Sequence, residues 1–475
     1  TGATINGSGA TLSIKSEGDS SEGTNHFAVK NDGRIAGNLD LEINTQATTS
    51  CDFAGESGHG KFRNVTINHA SCIVNLESTT QFTGNLNITL GKIVCGGNTV
   101  EITGTTTIGD GSASATEATL QCDASAMFLG SGMTTGYAVI IEVGGFFDGG
   151  TGNHTMGSFK IGAHNTLAKA TLTNATTTIN AKSNDSNKAF RIAGSNATFD
   201  AGTGTVKFTY AGAIAVQTNT KTFYDFKISD ASCDVTLVDA LTVTHDLTIE
   251  AGELDTTGSN YALTVNGDIY LHPSASAGTD HPAKLTCNSS DIDVGGKLEV
   301  KGTWNSGGNN YLPKGIFDGG TGDHEYGSLI MLVGADATLS SGVTEIQAAG
   351  ACFRLDIQTG YNTTYSNGSG TVKFTSSSDQ LLYSSGQIAN NYNTFHNLIL
   401  EKTSSTLQGL TSVGFHIKVG ANLTITSGIL NTNTTSDPPV NHDLTVTGDC
   451  VVTGTLTLND STVAVGALRA VSGAA

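Results

Sequence analysis

Along this chain, apolar residues alternate with Thr, Ser, Asn or charged residues in short runs, and most runs are closed by Gly or Asn. LTVTGDCVVTGTLTLND, from Leu444 to Asp460, shows the rhythm, with a new run roughly every eight residues. A period of two puts one set of side chains on a buried face and the other on a wet one, which predicts β-strands. No stretch offers the i, i+3, i+4, i+7 stripe of an amphipathic helix. Glycine accepts positive φ at tight corners without steric cost, which accounts for its place between runs. The pattern predicts an all-β chain of short strands and sharp turns.

The runs are organised by repetition. FDGGTGNHTMGSFKI, opening at Phe147, returns as FDGGTGDHEYGSLIM at Phe317, 170 positions later, with Phe147/Phe317, Asp148/Asp318 and His154/His324 in register. A second signature occurs three times: FRNVTINHASC at Phe62, FYDFKISDASC at Phe223 and FHNLILEKTSS at Phe395. Each copy leads to a strand–Gly–strand passage, NLNITLGKI, DLTIEAGEL or NLTITSGIL. The implied order is an N-terminal β unit (1–61), then modules A1 (62–146), B1 (147–222), A2 (223–316), B2 (317–394) and A3 (395–475). Cys51, Cys72, Cys95 and Cys122 recur at intervals of 21, 23 and 27 residues. Two or three strands per coil would give coils in the low twenties, each burying its apolar face on its neighbours. The expected fold is an elongated β-solenoid, or β-helix, of tandem repeats. At roughly 4.8 Å per coil, about 20 coils would make a rod on the order of 90–100 Å long. The competing architecture is a string of tandem β-sandwich domains.

Composition narrows the function classes. The chain has 23 Lys plus Arg against 42 Asp plus Glu, a net charge of −19, and no basic run. Phosphate tracking needs clustered cations, so nucleic acid is not expected as a partner. No apolar run reaches the ~20 residues of a membrane span. Opening at Thr1 rather than Met is expected of a processed, trimmed or engineered N-terminus. Eight cysteines without a CxxC pair make neither a disulfide-dense scaffold nor a metal knuckle. Cys72/Cys233 and Cys122/Cys287 occupy matched module positions, as buried core thiols would, with bridges between neighbouring coils the alternative.

The run FHNLIL…LTITSGILNTN…LTVTGDCVVTGTLTLND resembles the repetitive β-rich segments of phage tail fibres and other virion surface proteins. It is also similar to β-helical adhesins and haemagglutinin-like proteins. The resemblance implies a non-catalytic structural or attachment protein, extracellular or on a virion surface, as a fibre, spike or adhesin rod. The implied partners are copies of itself, as a trimer or filament, and a host surface glycan or protein. Two alternatives stay open: a carbohydrate-active β-helix cleaving a surface polysaccharide, and a subunit of a self-assembling extracellular filament.

Candidate sites are few, and no cofactor is expected. Asp318 and Asp323 stand among glycines in a turn resembling calcium-binding nonapeptides, but the acid sits one place early and the other copy has Asn153. Weak Ca²⁺ binding is one reading. A structural corner, with Asp148 and Asp318 bonding their own turn amides, is the expected one. His154 and His324 read as repeated surface or corner histidines. Glu250, Glu253 and Asp255 occur in one module copy only and are where paired acids for glycan cleavage would sit. A binding surface is expected where the FDGGTG copies differ: Asn153/Asp323, Thr155/Glu325 and Met156/Tyr326. The sequons at Asn64, Asn174 and Asn422 are either glycan acceptors or members of asparagine ladders at coil corners.

Overall fold

A computed structural model describes residues 4–6, 10–14, 27–28, 34–36, 39–44, 48–52, 62–76, 78–112, 117–162, 168–256, 259–274, 281–303, 313–356, 363–383, 395–402, 409–413, 416–432, 442–458 and 460–471. Much of the expected N-terminal unit, residues 15–26 among it, lies outside the described residues. There are two compact units: Thr1–Lys227 with Val238–Ala240, and Ile228–Leu237 with Leu241–Ala475. Among the described residues there is no helix, and hence none long and apolar enough to cross a membrane.

Each unit is a parallel β-solenoid with three strands per coil, so the sandwich alternative falls. In the first unit one ladder stacks Thr80–Phe82, Val100–Ile102, Met127–Leu129, His154–Met156, Thr176–Ile179 and Thr205–Phe208. A second stacks Thr106–Ile108, Val139–Ile141, Phe159–Ile161 and Lys188–Ile192. A third stacks Ala118–Gln121, Gly145–Asp148, Lys169–Thr171 and Thr198–Asp200. The second unit repeats the plan; its first ladder runs from Leu263–Val265 through strands beginning at Ile292, His324, Val343, Thr371 and Asn397. Coils span 18 residues (Asp449 to Ala467) to 33 (Thr106 to Val139). The expected low-twenties repeat is therefore too uniform, because strands keep register while the loops between them differ in length.

The alternation in sequence becomes the inside and outside of the coil. Val100 and Ile102 are buried while Glu101 between them is exposed, and in the second unit Leu263 and Val265 are buried on either side of the outward Thr264. Each buried Leu, Ile, Val or Phe contributes roughly 1.5–3 kcal/mol of apolar burial. The phenylalanines concentrate inside: Phe159 stacks on Phe190 with ring centroids 5.3 Å apart, and Phe353 packs on Phe395 at 5.2 Å.

Corners are held by side chains that satisfy the next coil's backbone. The Asn64 amide donates to Asp40 Oδ1 (3.2 Å), Asn85 N to Asn64 Oδ1 (2.9 Å) and Thr105 N to Asn85 Oδ1 (2.9 Å). Thr203 N likewise donates to Asn174 Oδ1 (3.0 Å), and Asp449 N to Asn422 Oδ1 (3.0 Å). All three sequon asparagines thus belong to corner ladders.

Candidate functional site

The FDGGTG stretch is a corner between the third and first ladders. Phe147 and Phe317 point into the core, while Asp148 and Asp318 each accept a bond from a glycine amide two residues on, Gly150 and Gly320, at 3.3 Å. Gly150 and Gly320 sit at φ +62° and +61°, and a Cβ on either would overlap the carbonyl oxygen of Asp123 or Asn288 in the adjacent coil. Gly152 and Gly322 meet Ser125 O and Ser290 O in the same way. The corner needs glycine because backbone packs directly on backbone.

The histidines are corner residues but lie inside, so the surface reading is corrected. His154 stacks between Met127 and Thr177, and His324 between Ile292 and Thr344, each 1% exposed. An inward position on the strand fixes this, since His154 shares its face with Met156. His154 Nε2 lies 2.7 Å from Gly149 O, and His324 Nδ1 lies 3.0 Å from the Tyr326 hydroxyl. Burial lowers both imidazoles to about 4, so they are neutral at ordinary pH.

The six expected surface positions separate by strand parity. Met156 and Tyr326 are buried in the core and contribute nothing to a surface; their difference serves the histidine, because only tyrosine can bond it. Asn153 and Asp323 are exposed, but their Oδ1 atoms accept the amides of Thr176 (3.2 Å) and Val343 (2.8 Å) in the next coil. Thr155 and Glu325 face outward, and each sits in an outward row of the first ladder.

Each of those rows borders a cavity. In the first unit the row is Gln81, Glu101, Phe128, Thr155, Thr178 and Lys207, in register. Phe128 is 42% exposed on this otherwise polar face, beside a cavity of about 340 Å³ lined by Glu101, Ile102, Thr103 and Ser131. Glu101 is held by Gln81 Nε2 at 2.7 Å. In the second unit the row is Thr264, Asp293, Glu325, Glu345, Lys373 and Ile399. There Glu345, Gln347, Lys373, Thr375 and Glu401 line a cavity of about 360 Å³. Lys373 Nζ lies 2.8 Å from Glu401 and 3.7 Å from Glu345, and Gln347 donates to both Glu325 and Glu345 at 3.1 Å. The Glu401 bond, ahead of the charge of Glu345, raises the lysine pKa. Sequence reading named Thr155 and Glu325 as surface candidates but not the rows they stand on, and it missed Phe128, whose signal is the unbroken apolar triplet Met127–Leu129 in a strand that should alternate.

The acids of the second A module are engaged locally. Glu250 accepts from Ser229 Oγ (3.1 Å), Glu253 pairs with Lys284 (2.9 Å) and accepts from Thr286, and Asp255 accepts from Asn288 Nδ2 (2.7 Å). Asp234, which sequence reading missed although it lies 19 and 21 residues before Glu253 and Asp255, joins the group. Its pKa is raised by burial first, then by Glu253 and Asp255. The chain matches no known protein-family model, no curated protein and no solved structure.

Proposed function

We propose that this chain is a non-catalytic structural or attachment protein of a virion or cell surface, displayed outside the cell and assembled with copies of itself. The observation that carries the reading is the pair of outward rows. In both units the first ladder presents a cavity on its outward row, at Glu101 and Phe128 in the first and at Glu345 and Lys373 in the second, on coils whose corners are locked by backbone contact. An exposed phenylalanine beside carboxylate and amide groups, and a Glu–Lys–Glu chain with an attached glutamine, are groups that hold a polar surface such as a glycan. Fold alone does not assign a role, so the proposal stands on these rows.

The test is retention of the purified chain on immobilised surface polysaccharides and on whole cells, with polymer length followed in parallel. Retention with unchanged polymer length is expected, and Phe128→Ser or Lys373→Met should weaken it about tenfold by removing an apolar or charged contact. The enzymatic alternative draws on one observation, the raised acid Asp234 beside Glu253 and Asp255. Release of reducing ends that disappears in Asp234→Asn would replace the attachment reading with it.

A further inference from the structure

Cys95 and Cys122 occupy the same position on adjacent coils. Val94 is the register partner of Gln121, so the next residue on each chain segment is a cysteine, and Cys95 N donates to Gln121 O at 2.9 Å. Both side chains turn inward with no exposure. Adjacent rungs are about 4.8 Å apart, inside the Cα separation of roughly 4.4–6.8 Å that a disulfide spans. The rung beyond Cys122 carries Gly149, which has no side chain to compete for the space.

The matched place in the second unit shows what a non-bridging pair does instead. There Asp255 partners Thr286, so Thr256 stacks on Cys287, and the threonine hydroxyl donates to Cys287 O at 2.7 Å. The first unit has a thiol where the second has this hydroxyl. Among the described cysteines no other two stand in register on neighbouring rungs.

We propose that Cys95 and Cys122 are a latent disulfide that staples two coils of the first unit when the chain folds in an oxidising medium. The oxidant is a small-molecule disulfide such as oxidised glutathione. One protein thiolate attacks it to give a mixed disulfide and one reduced small thiol. The second thiolate then displaces the other small thiol, closing the S–S bond. Two protein thiols are oxidised, one small disulfide is reduced to two thiols, and the protein thiol protons pass through solvent to the released thiolates. Burial, with Cys95 beside it, holds the Cys122 thiol well above its usual range, so the exchange belongs to folding and is closed afterwards. The inference does not depend on the attachment reading.

The experiment is to fold the full chain from denaturant with reduced and oxidised glutathione, alkylate remaining thiols, and map peptides by mass spectrometry. A Cys95–Cys122 linked peptide, with the other cysteines alkylated, is the expected result. The linked protein should unfold about 5–10 °C higher than the reduced one. Cys95→Thr, which copies the second unit, should fold and lose both the link and the shift; Cys122→Ala provides a second folded control. Full alkylation of Cys95 and Cys122 after oxidative folding, or their capture in links to other cysteines, would overturn the proposal.

Discussion

Gly150 and Gly320 leave no room for a methyl group, so their role is steric. Alanine at either position combines a left-handed backbone with overlap on the neighbouring coil's carbonyl. Gly150→Ala should cost about 2 kcal/mol or more, read as a lower thermal midpoint for the first unit, whereas Gly97→Ala, open to solvent although also left-handed, should cost less. His154 and His324 carry a pH dependence of definite sign. Their folded pKa values, about 4, lie below the usual ~6.5, so the folded state binds fewer protons than the unfolded one. The stability they contribute is complete above pH ~6.5 and is lost as pH falls towards 4, by about 3 kcal/mol each. Thermal unfolding between pH 7 and 4.5 should show this slope, and the double variant His154→Met, His324→Met should flatten it.

At the scale of the strand, the two-residue period was sufficient to tell inside from outside, as Val100, Glu101 and Ile102 show. Register was not legible. Thr106 pairs with Val139, 33 residues on, while Val139 pairs with Phe159, only 20 on, and the alternation of side chains does not encode that difference in loop length. His154 read as a repeated surface or corner residue and Met156 as surface variation because a Gly-rich signature resembles a loop, yet the residues after FDGGTG already form an alternating strand. The asparagine ladders give the strand scale its own prediction. Asn85→Ala removes the acceptor for Thr105 N at an exposed corner and should cost about 1 kcal/mol, while Asn85→Asp, which keeps the acceptor, should cost less. Equilibrium urea unfolding of the three proteins decides between them.

At the scale of the whole chain, repetition made the solenoid readable before any coordinate was known, because two long signatures and a short alternation agreed on stacked coils. Repetition is also why the functional surface was hard to read: the most conspicuous motif marks a corner, and the outward rows carry no motif at all. The binding row depends on one arrangement, the register that places Gln81, Glu101, Phe128, Thr155, Thr178 and Lys207 on consecutive coils of the first unit. Pulsed electron–electron spin resonance between a label at position 81 and a second at 155, 178 or 207 measures that order directly. Backbone separations of roughly 14, 19 and 24 Å, rising by about one rung spacing each time, are predicted. Separations that do not rise in that order would contradict the stacked register and, with it, the binding row built on it.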